Sequence, residues 1–384
     1  MFETIKNYRK FQETDKKFKN IVFYSEGDDY DHFYTPYVNS CLKNKINFSY
    51  ISSSKNSPFT KNNFSKFFYI GDSFIRTLFF FTLNCKNLIT TMPDLGNFFL
   101  KKSSKCQNYI YFFHSMLSMN IIYNHNAFSN YDTILCANKI HANEVKNYFF
   151  TNSKVKYLNL GYPKIDELIK KAYNKKKNNI IKSILIAPSW GNESKNYKAY
   201  KILILQLIEQ GFSITFRPHP MTINYFKGEL EDIYSSFNKY KNFKPSHEKN
   251  NLNDYLESDL IITDWSGSAI EFALATKKRC IFLETKQKIR NKSFTESENL
   301  RSVEIIFKKE VSESFDLNNF REIFNKINFN EYLVKYEQKI DIFREKYLFN
   351  LLQTEVVIDR FFHDLNFKDA SSNKKNSKYT FKNF

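Results

Sequence analysis

Short, mainly apolar runs recur along the first half of the chain: IVFYS at 21–25, NFSYI at 47–51, NLIT at 87–90, YIYFF at 109–113 and TILCA at 133–137. Longer stretches of mixed polarity separate them. A strand covered by helices on both faces reads as an unbroken apolar run, whereas a strand with one wet face alternates. The pattern predicts parallel strands separated by helices, an α/β unit. Between Leu168 and Lys182 the sequence LIKKAYNKKKNNIIK loses its apolar periodicity and gathers Lys and Asn, as a solvated connection between domains does. The rhythm restarts with SILIAP at 183–188, FSITF at 212–216, LIIT at 260–263 and CIFLE at 280–284, separated by helical stretches such as AYKILILQLIEQG. Beyond about Asp316 the pattern is wholly helical, in REIFNKI and in EYLVKYEQKIDIFREKYLFNLLQTEVVIDRFF, and the polar tail from Asp369 reads as frayed. The expected organisation is an α/β domain over 1–168, a linker over 169–182, a second α/β domain over 183–316, helices over 317–368 and a disordered tail over 369–384. Two doubly wound domains facing each other make a cleft, and open α/β sheets bind ligands beyond the carboxyl ends of their strands. Chemistry is expected just after strands.

A length of 384 residues suits two medium domains better than one. Hydrophobic content of 42% excludes disorder of the whole chain, and only 8 Gly and 8 Pro exclude collagen-like and low-complexity readings. Lys and Arg total 58 against 40 Asp and Glu, a net charge of +18 that favours anionic partners: nucleic acid, acidic lipid or phosphorylated substrates. The alphabet is biased towards Lys, Asn, Ile, Phe and Tyr throughout, so charge alone does not choose among them. A nucleic-acid binder would interleave basic patches with aromatics or carry a binding motif, and here the lysines are dispersed. Cys41, Cys85, Cys106, Cys136 and Cys280 are widely spaced, with no CxxC pair, which suggests neither a disulfide framework nor a zinc site and fits a reducing cytoplasm. The first twenty residues are charged throughout, without the apolar core of a secretory signal. The most apolar run, FIRTLFFFTL at 74–83, is shorter than a spanning helix needs, and Arg76 interrupts it, so no transmembrane segment is expected.

The densest chemical signal is SDLIITDWSGSAIEFALATKKRCIFLE at 258–284, which reads as strand, short polar turn, helix and strand. Ser266, Gly267 and Ser268 open that helix, whose exposed N–H groups and positive dipole end favour an anion. The same pattern serves equally as a plain helix cap by Asp264 and Ser266. No Walker motif and no GxGxxG occurs. Glu271, one turn beyond Ser268, is placed to accept from ribose hydroxyls, or else is a solvated helix carboxylate. A second signal, GFSITFRPHPMT at 211–222, ends a strand in Arg217 and His219 between stiffening prolines, presenting two donors at the strand's carboxyl end. The third is YIYFFHSMLSMN, in which His114 directly follows an apolar strand; a near-neutral imidazole there can take a proton from an acceptor hydroxyl, with a turn-capping His as the alternative. His32, His125, His141, His247 and His363 lack comparable settings, although His125 is close enough in sequence to be a second candidate. Asp29-Tyr30-Asp31 follows the first strand without a supporting carboxylate motif, and no HExxH or EF-hand spacing occurs, so neither a metal nor another cofactor is implied.

Taken together these motifs resemble the CDP-glycerol glycerophosphotransferase family, the teichoic-acid and capsule polymer enzymes with a GT-B-like fold. The matching features run from about Tyr111 to Ala273: the strand-end His114, GYPKID at 161–166, ILIAPSW at 184–190 with Ser189, the RPHP containing His219, and SDLIITDWSGSAIEFA. Two positions depart from the family pattern: its usual glycine after the strand-end His is Ser115, and the second Ser of its "DYSS" pair is Gly267. The resemblance implies transfer of a polyol phosphate from a CDP-activated donor to a hydroxyl on a growing envelope or capsular glycan or a lipid-linked primer, with CMP leaving. It implies His114 and His219 as catalytic residues, with Arg217, Ser266, Gly267 and Ser268 on the donor pyrophosphate. Glu271, Ser189 and Asp264 fall on the nucleotide and ribose. The first domain would take the acceptor and the second the donor, and the basic surface would hold the enzyme peripherally at an anionic inner membrane. The alternative on the same fold is a glycosyltransferase moving a sugar from a nucleotide sugar.

Overall fold

The computed structural model describes residues 2–56, 58, 59, 62–149, 155–173, 180–190, 197–246, 252–294, 301–316 and 332–367. The apolar runs form two parallel sheets. The first holds β1 (Ile21–Ser25), β2 (Phe48–Ser52), β3 (Ser65–Tyr69), β4 (Cys85–Thr90), β5 (Cys106–Phe112), β6 (Thr133–Cys136) and β7 (Lys156–Asn159), in the order β3-β2-β1-β4-β5-β6-β7. The second holds β8 (Ser183–Ile186), β9 (Ser213–Phe216), β10 (Phe243–Pro245), β11 (Leu260–Thr263), β12 (Arg279–Glu284) and β13 (Glu313–Asp316), in the order β10-β9-β8-β11-β12-β13. Both are doubly wound in the 3-2-1-4-5-6 sense, which places a switch point between the first and fourth strands. In the second sheet it falls between β8 and β11, paired in parallel through Leu260 with Ile184 and Ile262 with Ile186.

The chain divides into two compact units: Met1–Thr90 with Gly96–Tyr109 and Gln353–Phe384, and Thr91–Leu95 with Ile110–Leu352. Strand β5 passes from one to the other. In the first unit an aromatic core closes on β1 and β2, where Phe23 meets Phe48 edge-on at 5.6 Å and Tyr34 meets Tyr50 at 5.6 Å. The Asp29-Tyr30-Asp31 cluster lies in the first turn of the helix Asp28–Lys43, and Asp31 is buried, accepting from Ser25 and Tyr50 hydroxyls at 2.6 Å each. The helix Thr354–Phe367 joins this unit through Asp359, which faces Lys43 Nζ at 2.8 Å and accepts from Ser40 Oγ at 2.5 Å.

In the second unit the core of the second sheet is built on aliphatic strand residues, with Ile184, Ile186, Leu203, Ile214, Leu260 and Ile262 buried together beside aromatics such as Phe216 and Tyr200. The helix Tyr332–Tyr347 belongs to this unit, where Arg344 Nε donates at 2.8 Å to Leu274 O at the end of the helix Gly267–Thr276. The two C-terminal helices are thus divided between the units. The connection expected over 169–182 overlaps the last turns of the helix Pro163–Tyr173, because Leu168 and Ile165 are buried there while Lys170 and Lys171 stay exposed. Residues 174–179, the REIFNKI segment, His247 and the tail beyond Phe367 lie outside the described residues. Among the described residues no helix is long and apolar enough to cross a membrane, and the five cysteines are free and buried.

Ile262 is fully buried in the middle of β11, between β8 and β12. Ile262→Ala is expected to cost about 2–5 kcal/mol in urea denaturation; a loss below about 1 kcal/mol would contradict close packing at the switch-point strand.

Candidate functional site

The switch point of the second sheet is built from the turns that leave β8 and β11. Ser189 N donates to Asp264 Oδ1 at 2.7 Å, and Thr263 Oγ1 donates to Ala187 O at 2.6 Å, so the two turns are cross-tied just past the last ladder bond. Burial raises the Asp264 carboxyl above its ordinary range, against the pull of the Ser189 bonds and of Lys288. Immediately after Asp264, Ser266 caps the helix Gly267–Thr276, its Oγ accepting from Ser268 N at 3.2 Å. The cap reading of this turn therefore holds in its hydrogen bonding, while the helix's first N–H groups still supply the positive end expected of an anion cradle. Gly267 has a tight neighbour: a Cβ there would lie 3.2 Å from Leu117 Cγ and 3.5 Å from Ser115 Oγ.

His219 caps the short helix Pro220–Tyr225, Nδ1 accepting from Met221 N at 3.1 Å. In the neutral ring that leaves the proton on Nε2, making His219 a donor. Burial, then Lys288, Arg290 and Arg217, then His114, pull its pKa down to about 3. The indole of Trp190 stacks on the imidazole with centroids 5.8 Å apart, and the Arg290 guanidinium covers the indole at 3.6 Å with Lys288 at 5.1 Å. The loop carrying both cations is pinned where Arg290 N donates to Ile121 O at 2.9 Å and Asn291 Nδ2 to Asn120 O at 2.7 Å. Arg217 Nη1, by contrast, lies against Asp254 Oδ2 at 2.6 Å and Ser246 Oγ at 3.1 Å, in a buried ion pair. A pyrophosphate at Arg217 would share the guanidinium with Asp254.

His114 stands just past β5, half-buried, with Nδ1 2.5 Å from Thr91 Oγ1. Burial and the charge of Lys164 lower its pKa to about 4, with Glu271 and Thr91 opposing. At neutral pH the ring is uncharged. Glu271 is buried, its Oε1 2.8 Å from the Tyr162 hydroxyl and its Oε2 2.7 Å from Lys164 Nζ. Ribose hydroxyls would have to share those oxygens.

The turn after His114 is held by two buried carboxylates. Glu144 accepts from Met119 N at 2.9 Å, and Glu304 accepts from Ser118 N at 3.2 Å. His141, wholly buried on Phe113, contacts Leu117 O through Nε2 at 2.7 Å. His125 is exposed on its loop, next to Asn126. The structure thus brings His114, His219, Ser266, Gly267, Ser268, Glu271, Ser189 and Asp264 into one unit, with Arg217 turned to an internal partner. Sequence reasoning passed over Trp190, Lys288, Arg290, Tyr162 and Lys164. Trp190, Tyr162 and Lys164 sit inside the quoted motifs, whereas Lys288 and Arg290 follow β12 with no local signal.

Residues 117–348 match the family described as CDP-Glycerol:Poly(glycerophosphate) glycerophosphotransferase, more than half of the chain. No curated protein matches in sequence. Among solved structures, a putative UDP-N-acetylglucosamine 2-epimerase from Listeria monocytogenes is similar with TM-score 0.56 at 11% identity, covering 94% of this chain and 100% of that one. The S. aureus MnaA–UDP complex is similar with TM-score 0.56 at 10% identity, covering 94% and 99%. At these identities the likeness shows the fold: an α/β architecture of GT-B type, the α/β part expected from the apolar runs and the GT-B type from the family resemblance.

Burial and the neighbouring Glu304 raise the Glu144 pKa from 4.5 to about 8. A raised carboxyl contributes stability below its unfolded pKa and loses it as pH climbs through the folded one. Glu144→Gln is therefore expected to gain on the wild type between pH 5 and pH 8 in urea denaturation; a constant difference across that range would show that the carboxyl ionises normally.

Proposed function

The chain belongs to the CDP-glycerol:poly(glycerophosphate) glycerophosphotransferase family, and from that premise we propose that it transfers a polyol phosphate from a CDP-activated donor to a hydroxyl of a cell-envelope glycan or lipid-linked primer. The observation that carries this reading is the setting of His219, a neutral imidazole surrounded by Lys288, Arg290 and Arg217 and within electrostatic reach of His114. Cations that oppose protonation of an imidazole favour an anion placed beside it, and a diphosphate is such an anion.

In this mechanism the N–H of His114 lies on Nδ1, donating towards Thr91, and Nε2 holds the lone pair. Nε2 takes the acceptor's proton while the acceptor oxygen bonds to the β-phosphorus. The bond from that phosphorus to the bridging oxygen breaks, and CMP leaves with the electron pair. His219 Nε2–H, the amide and hydroxyl groups of Ser266, Gly267 and Ser268, and the Lys288 and Arg290 charges stabilise the charge that grows on the phosphates. Each such preorganised donor is worth about 3–4 kcal/mol in a transition state, and a general base about 10²–10⁴-fold in rate. Ser189 and Asp264, at the switch point of the second sheet, take the nucleotide side, and the first domain takes the acceptor.

His114→Ala is expected to reduce CMP release from CDP-glycerol by at least 10²-fold while sparing donor binding, and His219→Ala to weaken both. Near-normal turnover in His114→Ala would refute the base. Because the folded imidazoles hold pKa values of about 4 and 3, kcat/KM should hold steady as pH falls from 7.5 to 5. An acid limb centred near 6.5 would mean that the surroundings of His114 do not hold its ring neutral. Release of a nucleoside diphosphate from a UDP- or GDP-sugar, with no CMP from CDP-glycerol, would instead establish a sugar transferase on the fold shared with the S. aureus MnaA–UDP complex.

Peripheral binding to an anionic membrane belongs to the same proposal. Lys6, Arg9 and Lys10 are exposed on the helix Phe2–Glu13, and each basic residue near such a surface contributes about 1 kcal/mol. Sedimentation with phosphatidylglycerol vesicles should fall as salt rises, and salt-independent binding would count against this anchoring.

A further inference from the structure

We propose that Tyr162, Lys164 and Glu271 are positioning residues for His114, forming a strut from the helix Gly267–Thr276 to the turn that carries the imidazole. The proposal rests on the reading of His114 as the base. The Tyr162 hydroxyl lies 3.0 Å from the carbonyl oxygen of His114 and 2.8 Å from Glu271 Oε1, so one buried phenol bridges the histidine's own backbone and the helix. Glu271 Oε2 accepts from Lys164 Nζ at 2.7 Å and lies 3.4 Å from the Tyr255 hydroxyl. Side-chain exposure of 15% for Lys164 and 7% for Glu271 makes this a desolvated pair, in which each charge acts over a longer range than it would in water.

A strut of this composition does two separable things. The Tyr162 bridge fixes where the backbone of His114 sits relative to the Ser266 helix start. The ion pair sets the field at the ring, because its two members bear on His114 with opposite sign: Lys164 resists protonation and Glu271 favours it. The other groups facing His114 are His219 and the Thr91 hydroxyl.

The two members of one salt bridge can therefore be told apart. In NMR titrations of the isotope-labelled His114 ring in the full chain, Lys164→Gln is expected to raise the midpoint towards 6.5, while Glu271→Gln leaves it at or below the wild-type value. If loss of either partner merely let water in, both variants would rise together, and that result overturns the electrostatic part. Lys164→Arg, which keeps the charge, should restore the wild-type midpoint, and it decides the question if the neutral variant does not fold. Tyr162→Phe keeps both charges and removes only the bridge. It is expected to lower kcat on the order of 10–100-fold with the donor KM and the His114 midpoint unchanged, and unchanged kcat overturns the positioning part. Opposite midpoint shifts in a protein that releases no CMP from CDP-glycerol would leave the strut standing and remove the proposed reaction instead.

Discussion

A parallel sheet delivers the carboxyl end of every strand to one edge, and a doubly wound order opens a gap on that edge where two neighbouring strands send their chains in opposite directions. Every feature of the candidate site follows from this constraint. Ser189 leaves β8 and Asp264 leaves β11, and the bond between them ties the two turns together just past the ladder. Arg217 and His219 leave β9, and Lys288 and Arg290 leave β12. His114 leaves β5 of the other sheet in the same manner, yet sits in the same compact unit as all of them. Side chains far apart in sequence converge because the topology allows the chain only a few places to turn.

What gathers there is positive charge held against buried imidazoles. Burial opposes protonation of both rings, reinforced at His219 by the cations and at His114 by Lys164. Both rings remain neutral far below their ordinary range, which keeps one as a donor and the other as an acceptor across the neutral pH range. An imidazole of pKa near 4 is a weak base in isolation. An anion arriving among Lys288, Arg290 and His219 changes that, because negative charge beside a ring raises its affinity for a proton. In the proposed reaction donor binding and base strength would be linked through the same field, with basicity rising once the donor is bound.

The fold was legible in the sequence wherever strands are covered on both sides. All nine apolar runs became strands, and they are the inner members of the two sheets. The four strands that left no such run, β3, β7, β10 and β13, are the four edges. Edge strands satisfy only one ladder and keep one side open, so Ser65–Tyr69 carries an exposed Lys66 and Glu313–Asp316 carries charges at both ends. The site was legible to the extent that it lies at strand ends: His114, His219 and the Ser266 turn could be singled out because strand and turn are local patterns. What each charged side chain faces is not local. Arg217 turned to Asp254 and Glu271 to Lys164 through tertiary contacts, and Lys288 and Arg290 entered through a loop whose anchor, Ile121, lies more than a hundred and sixty residues earlier.

The two positions that depart from the pattern this chain resembles, Ser115 and Gly267, lie close together in the structure. Ser115 follows the strand-end histidine where the family usually has glycine, and Gly267 stands where it usually has serine. A Cβ at 267 would meet Ser115 Oγ at 3.5 Å and Leu117 Cγ at 3.2 Å. The tight contact is with Leu117, so the approach of the histidine turn limits side-chain volume at 267, while the 3.5 Å to Ser115 Oγ is an ordinary van der Waals distance. On the histidine turn, Ser115 Oγ accepts from Leu117 N at 3.1 Å. A glycine at 267 thus suits the close approach of Leu117, and the Ser115 hydroxyl is taken up within its own turn.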